Sequence, residues 1–586
     1  DHVVINEFEQ NPHGKDAGNE WVELYNPTSN EVDISGWMLS SQYSGGRDIT
    51  IPGGTVIHPK GYWTYAHDKG WLRNENELII LKYSEGKEID RTPLLKDIKN
   101  DNCSWQRYPN GMDIDLYSDW QFRLSTEGYS NGGPSHFPYE TFNFNGTLTL
   151  FTSPDSSFKE LANAIDTANE SIYLNVYQFY NFYLMDHLLD AINRGINVKV
   201  FLEGYPVNGI ENDERYIAAQ IANTGGEVRF MIDDKARGIH DRYRYNHAKY
   251  ATIDNKSTIV MSENWKNTGV PVNNTFGNRG WGIIINNLNV TSYFTDVFFE
   301  DWKPESKDSF AFTCNHSLYG NKYGCPPLDF VPDRTNLTGN YSHPFDSAKI
   351  TGEFNISPVL SPDTSLMQTK SIIGMINSAE ESVYIEQLYI YKDWWSYADK
   401  KNPFLDASIN ASRRGCDVRI LLNPTYTCKQ NWDTIDYVRD VAANEGLNLE
   451  AKFIDINHTG LNKTHNKGVI VDSSKVLISS INWNENSARN NREAGVIVEN
   501  DKVGEYYTDV FLYDWNSSNN QPPIASFTYS PSNPVVSRTI TFDALNSTDP
   551  DGTIENYEWD FGDREKMEGE IVTHSYSSAF EASKIS

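Results

Sequence analysis

Polar and apolar residues alternate with period two at both ends of the chain, while a longer block pattern fills the middle. Near the N-terminus, VVINEFEQNP (3–12), NEWVELYNP (19–27), VDISGWMLSS (32–41) and SWQRYPNGMD (104–113) are short alternating segments set between turn residues. No long amphipathic helix interrupts them, which predicts an all-β, immunoglobulin-like sandwich over 1–138. The tail behaves alike: ASFTYSPS (525–532), TITFDALNSTDPDG (539–552) and NYEWDFGD (556–563) predict a second β-domain over 519–586, after a linker at NSSNNQPP (516–523).

The middle holds a block that occurs twice. ESIYLNVYQFYN (170–181) leads through LLDAINRGINVKVFLEG (188–204), and ESVYIEQLYIYK (381–392) leads through FLDASINASRRGCDVRILLNP (404–424). Each predicts strand, helix, strand. The helices carry apolar residues at helical spacing and stop at Gly195 and Gly415, a residue type favoured where the chain must leave a helix left-handed. VKVFL and VRILL are near-continuous apolar runs, the mark of strands buried on both faces. VRFMID (228–233) matches AKFID (451–455), and NRGWGIII with TDVFFEDW matches NREAGVIV with TDVFLYDW. Repetition on this scale predicts two homologous α/β lobes, 141–305 and 346–518, joined by a linker at 306–345.

The polar positions inside the repeat bring in chemistry. NHAKYATIDNKSTIVMSENW (246–265) and THNKGVIVDSSKVLISSINW (464–483) both read His-x-Lys, then Asp, then Ser-x-Asn-Trp at equal spacing. Along a strand, His247 shares a face with Lys249, and His465 with Lys467. Ser262 with Asn264, and Ser480 with Asn482, follow on the next segment. Two imidazoles, two ammonium groups and two Ser/Asn donor sets suit a phosphodiester: cations and donors hold the anionic oxygens, one imidazole attacks phosphorus, and the other protonates the leaving oxygen. This chemistry needs no metal. Asp254 and Asp472 stand at strand ends, where they cap turns or pair with charges.

Bulk properties narrow the setting. At 586 residues the chain is too long for one core. Its formal charge of −30 argues against a general nucleic-acid-gripping surface. No apolar run is long enough for a membrane span, so a soluble chain is expected, and the absence of an opening Met is compatible with a removed leader. Cys314 and Cys325 sit close together in a loop, as for a disulfide in an oxidising compartment. Asn-x-Ser/Thr triplets at Asn145, Asn289 and Asn336 are compatible with a surface glycoprotein.

The duplicated stretches resemble the HxKxxxxD motifs of the phospholipase D superfamily: His247, Lys249 and Asp254 form one copy, His465, Lys467 and Asp472 the other. Ser262/Asn264 and Ser480/Asn482 match the Gly-Ser-x-Asn that follows, with Met261 and Ser479 in place of Gly. The resemblance implies a pseudo-two-fold pair of lobes with mixed sheets flanked by helices, one shared site, a phosphohistidine intermediate and no cofactor. It casts His247 as nucleophile and His465 as general acid. It also implies a carboxylate downstream of each motif to orient the catalytic His. Glu493 takes that place for His465, but the aligned position for His247 is Gly280; Glu263 and Asp241 are the substitutes at hand, or else unrelated surface acids. The N-terminal region resembles a lamin-tail domain (INEFEQNP, NEWVELYN, ISGWMLS, QRYPNG). The C-terminal region resembles a PKD domain (PPIASFTYSP, NYEWDFGD, VTHSYSS) whose pattern departs after Ser578, which predicts an incomplete sandwich; its DPDG acids read as a turn rather than a calcium site. These flanks imply a secreted or cell-surface phosphodiesterase, attached through its β-domains. With both motifs in one chain it is monomeric, and its substrate is a phospholipid or DNA/RNA. The aromatic runs VYQFYNFY and LYIYKDWW either line an apolar approach to lipid or belong to the core. The competing reading is a non-catalytic surface scaffold with degenerate lobes, for which Gly280 is the argument.

Overall fold

The computed structural model describes the chain apart from residues 1, 13–14, 43–47, 60, 99–102, 108–110, 112, 114–116, 125–136, 235–236, 238, 240, 305–306, 368, 395–400, 426–427, 518–523, 550–553, 555, 564 and 578–586. The linker centre, the DPDG turn, the chain after Ser577 and the Tyr-Pro-Asn of QRYPNG therefore lie outside the described residues. Two compact units result, Asp1–Tyr513 and Asp514–Ser586.

In the larger unit the two lobes share one sheet. Its lobe-1 strands are β1 (Phe142–Ser153), β2 (Ser171–Val176), β3 (Asn197–Glu203), β4 (Glu227–Met231), β5 (Lys249–Ile253), β6 (Ser257–Met261), β7 (Asn278–Asn286) and β8 (Ser309–Ala311). Lobe 2 adds β9 (Ala348–Ser361), β10 (Ser382–Gln387), β11 (Asp417–Leu422), β12 (Leu449–Phe453), β13 (Lys463–Thr464), β14 (Lys467–Val471), β15 (Lys475–Ser479) and β16 (Glu493–Glu499). The order is β8-β4-β3-β2-β5-β6-β7-β1-β9-β16-β15-β14-β10-β11-β12, with β13 paired to β7. The palindromic order is the sequence repeat made visible. Its centre is the antiparallel β1–β9 pair, in register from Phe142↔Ile356 to Leu150↔Ala348.

The expected mixed sheets of the two lobes are present and run together as one. β1 and β9 alternate in exposure over their first halves and are buried over their second halves, so each can pair outward with its own lobe and across to its twin. β8, inside the stretch expected as linker, is the antiparallel edge of the lobe-1 sheet, and Cys314 and Cys325 are disulfide-bonded just beyond it. Parallel pairs β2–β3–β4 and β10–β11–β12 carry the predicted apolar runs. The helices Phe182–Asn193 and Pro403–Arg413 cover them, each capped by an Asn (181 and 402) accepting two backbone N–H groups, and each followed by Gly195 or Gly415 at φ +90° or +107°.

Residues 4–124 build a five-stranded and a four-stranded antiparallel sheet around Val22, Leu39, Leu81, Trp105 and Trp120. This β-domain packs on lobe 2. Tyr117 joins both cores, and the Arg489 guanidinium lies over Trp105 of the first domain and Trp394 of lobe 2, at 5.5 and 5.6 Å. The smaller unit is all-β, a three-stranded and a two-stranded sheet around Phe542, Trp559 and Phe561. Among the described residues, no helix is long and apolar enough to cross a membrane.

Candidate active site

Each His stands just ahead of a central strand of its lobe, β5 or β14, where the chain reaches the other lobe. The His247 backbone N–H donates to the Arg492 carbonyl of lobe 2 at 2.8 Å, and the His465 N–H donates to the Arg279 carbonyl of lobe 1 at 2.8 Å. Neither imidazole is held by its own lobe alone. Both line one cavity of about 710 Å³, together with Tyr177, Asn264, Lys266, Tyr389, Lys463 and Asn482.

The carboxylates cross over too. Glu493, fully buried on β16, takes a hydrogen bond from His247 Nδ1 at 2.8 Å, from Ser480 Oγ at 2.6 Å, from Asn491 Nδ2 at 3.0 Å and from Ser487 Oγ. Burial alone would raise its pKa, but His247, Lys249 and these donors hold it below the usual range. The expected pairing of Glu493 with His465 is thus overturned: Glu493 serves the His of the opposite lobe. His465 Nδ1 instead lies 3.3 Å from Glu263 Oε2. Glu263 is not a surface acid; it is 1% exposed and accepts from Asn278 Nδ2 at 3.1 Å. Register explains the exchange. Gly280 opposes Ser153 as Glu493 opposes Ser361, so the two positions are equivalent. A Cβ at Gly280 would lie 2.5 Å from Glu263 Cγ and 2.9 Å from Glu263 Oε1, so the missing side chain leaves room that Glu263 fills.

Burial sets the charge states. It drives His247 down to about 4, helped by Lys249 and Lys467 and opposed by Glu493. It drives His465 well below its ordinary value, with Lys467, Lys463, Lys249 and His247 acting the same way. Lys249 falls to about 7 through burial, and burial with the Lys249 charge pushes Lys467 well below its ordinary value. Glu263 is pushed up to about 7 by burial against the pull of Lys467. At neutral pH the empty pocket therefore holds neutral imidazoles over a weakly charged floor, a state that an incoming anion pushes toward protonation.

The lysines and serines lie beneath this pocket rather than on its wall. Lys249 Nζ donates to the His247 carbonyl at 2.6 Å, and Lys467 Nζ to the His465 carbonyl. Ser262 and Ser480, expected to bind phosphate, are fully buried. Ser262 Oγ accepts the Trp281 N–H at 3.0 Å; Ser480 Oγ accepts the Ala494 N–H at 3.0 Å while donating to Glu493. Their hydroxyls hold the closing strands. Asn264 and Asn482 do reach the cavity. Asp254 and Asp472 are turn anchors with φ near +50°; their carboxylates accept the backbone N–H groups of Asn169, Glu170 and Ser171, and of Glu380, Glu381 and Ser382. The aromatic runs divide: Tyr177, Tyr389 and Tyr391 line the cavity, whereas Phe179, Phe182 and Trp394 are core.

Sequence reading missed the frame that locks the lobes. Arg492 reaches Asp301 of lobe 1 (Nε–Oδ2 3.0 Å) and Asp363 (Nη1–Oδ2 2.7 Å), and its twin Arg279 reaches Asp155 at 2.8 Å and the Tyr341 hydroxyl at 2.6 Å, all buried. The signal was in the chain: TSPDSS (152–157) against LSPDTS (360–365), and an Asn-Arg pair that opens β7 (Asn278-Arg279) and immediately precedes β16 (Asn491-Arg492).

Two lobes that each supply half of one His/Lys site define a duplicated α/β architecture, and comparison with known proteins gives the family. The family model described as "Cardiolipin synthase, PLD-like domain" matches residues 161–302 and 372–515, a Lamin Tail Domain model matches 1–94, and a PKD domain model matches 520–579. The chain is similar to a cardiolipin synthase of Clostridium perfringens (23% identical over 394 residues, 64% of this chain and 71% of that protein) and to a phospholipase D of Rickettsia prowazekii (27% over 190 residues, 31% and 80%). Among solved structures it is similar to the phosphatidylserine synthase of Haemophilus influenzae (TM-score 0.42, 11% identity, 63% of this chain and 85% of that one). The chain belongs to the phospholipase D superfamily, with two phospholipase D-like domains set between an N-terminal lamin-tail domain and a C-terminal PKD domain.

Proposed function

We propose that this protein is a secreted or cell-surface phosphodiesterase that works through a phosphohistidine. The observation that carries the reading is the meeting of two imidazoles, one from each lobe, in one pocket, each beside a buried carboxylate. Glu493 takes the His247 Nδ1 proton as a hydrogen bond, which leaves the Nε2 lone pair free to attack phosphorus. As the P–N bond forms, the P–O bond to the leaving group breaks and its oxygen takes a proton from His465. Water or an alcohol then gives a proton to His465 and attacks phosphorus, the P–N bond breaks, and His247 is restored. The substrate's negative charge between the rings raises the pKa of both, which supplies the protonated His465 the empty pocket lacks. Asn264 and Asn482, which reach the cavity, donate to the phosphoryl oxygens, and Lys249 and Lys467 act on their charge from beneath the pocket.

A phospholipid is the favoured substrate, supported by the formal charge of −30, which repels polyanions, and by relatives named for phospholipid chemistry. DNA or RNA is the second reading, supported by the Tyr and Asn side chains of the cavity, which can stack on bases and bind their edges. Choline- or ethanolamine-release assays and an agarose-gel nuclease assay separate the two. His247→Ala and His465→Ala should each cut turnover by ~10³ or more, because the two residues act as one unit. Near-wild-type activity in either variant contradicts the shared site.

A further inference from the structure

The wall of the catalytic cavity is not made by the two lobes alone. Lys96, Ile98 and Phe122 of the N-terminal β-domain, just beyond the stretch matched as lamin-tail, line the same cavity as His247 and His465. A volume of about 710 Å³ is in the range that encloses a whole small ligand, far beyond one phosphate group. The remainder must receive the substituents on phosphorus, and part of that space is bounded by the N-terminal β-domain.

This wall is fixed. The Lys96 carbonyl accepts the Trp105 indole N–H at 3.2 Å, the Asp97 N–H donates to the Asn74 carbonyl at 2.9 Å, and the Asp97 carbonyl accepts Asn11 Nδ2 at 3.0 Å. Trp105 in turn carries the buried guanidinium of Arg489, whose Nη1 donates to the Trp120 carbonyl at 3.4 Å. A chain of contacts therefore runs from Lys96 and Asp97 to the lobe-2 helix Glu485–Arg489, so these two residues are held in place relative to the imidazoles.

Where the cavity meets solvent, two aliphatic side chains stand beside the exposed Asn208 and Glu211. Ile98 is 64% exposed, and Val207, which lines the same cavity from lobe 1, is 52% exposed. An isolated exposed aliphatic needs no explanation, but two on one cavity, from two domains, add apolar surface to a mouth whose other groups are polar. A polyanion gains nothing from that apolar surface, and the overall charge of −30 opposes its approach. An esterified glycerol phosphate offers a phosphate for the floor and acyl carbons for Ile98 and Val207. We propose that the N-terminal β-domain, which carries the lamin-tail match, is part of the substrate site, with Ile98 and Val207 both contacting the acylglycerol portion of a phospholipid. This rests on the phosphodiesterase reading above and adds a domain and a substrate portion to it.

The test uses the full chain and three variants: Ile98→Asp, Ile98→Leu and the inactive His247→Ala as a binding background. Monomeric dihexanoylphosphatidylethanolamine, bis(4-nitrophenyl) phosphate and a single-stranded oligonucleotide are the probes. Ile98→Asp should raise KM for the lipid at least tenfold and leave kcat/KM for the nitrophenyl ester within twofold, while Ile98→Leu restores the lipid KM. In the His247→Ala background, calorimetric lipid affinity should fall by the same factor when Ile98→Asp is added. Lipid binding unchanged by Ile98→Asp overturns the proposal, as do equal losses on lipid and nitrophenyl ester, or a loss confined to the oligonucleotide. Binding is read without turnover, so a wild type that hydrolyses none of the probes defeats the phosphodiesterase reading and still leaves the lipid contact tested.

Discussion

Glu263→Gln removes the charge beside His465 and leaves the shape almost unchanged. Glu263 is 1% exposed and 3.3 Å from His465 Nδ1, so in the wild type its carboxylate is the counter-charge for the imidazolium that forms when His465 holds a proton. General acid–base catalysis contributes ~10²–10⁴. The contact is longer than the 2.8 Å between Glu493 and His247, which places the expected loss at the lower end, ~10²–10³ or about 3–4 kcal/mol at 1.36 kcal/mol per factor of ten. Gly280 supplies a second arm. A side chain there meets Glu263 Cγ at 2.5 Å, so Gly280→Glu alone should overpack the site and cost about 1–3 kcal/mol of stability. Combined with Glu263→Ala the space clears, and the carboxylate returns on the strand position equivalent to Glu493. The double variant should recover at least tenfold of what Glu263→Ala loses. The assay is single-turnover rapid quench across pH, with thermal unfolding in parallel. A Glu263→Gln enzyme with wild-type single-turnover rate and an unaltered pH profile would refute the assignment.

Three further outcomes follow from the same geometry. Burial holds Lys249 down to about 7, with Lys266 pushing the same way against Glu493 and Glu263; above that pH the empty site loses positive charge, so affinity for inorganic phosphate should fall as pH rises through 7 and binding at pH 8 should take up protons. Calorimetry in two buffers of different ionisation enthalpy reads the uptake, and none would contradict the assigned charge state. Arg492→Met leaves Asp301 and Asp363 buried without their shared partner and should cost about 3–5 kcal/mol in urea unfolding of the lobes; a loss below about 1 kcal/mol would mean the lobes are held elsewhere. Asp254→Ala strips three backbone N–H groups of their acceptor and should destabilise by about 1–3 kcal/mol while the folded fraction keeps its kcat, which separates a turn anchor from a catalytic acid.

The repeat was legible because chemistry and packing impose different periods on the same residues. His247 and Lys249, like His465 and Lys467, stand two apart on strand-forming segments, and VKVFL and VRILL have only one comfortable place, the middle of a parallel sheet. What the sequence could not show is which lobe a side chain faces. Alignment puts Glu493 downstream of His465, but the pairing of Asn246 with Arg492, and of β13 with β7, carries each His to the other lobe's closing strand. Such pairings join residues 185 and 246 positions apart and leave no local pattern. Glu263 was hidden for a related reason: a charged residue between Ser262 and Asn264 reads as a surface acid until the empty space at Gly280 is seen beside it. The union of two sheets through β1 and β9 was equally silent, since each strand alone reads as an ordinary alternating segment.

The central claim is that one phosphorus passes through His247. Acid-free quench of a millisecond reaction with a labelled phosphodiester, followed by peptide mapping, tests it directly. An acid-labile, base-stable phosphoryl group is expected on the His247 peptide, absent from His247→Ala and accumulating in His465→Ala. Turnover with no labelled histidine, or with the label on His465, would contradict it.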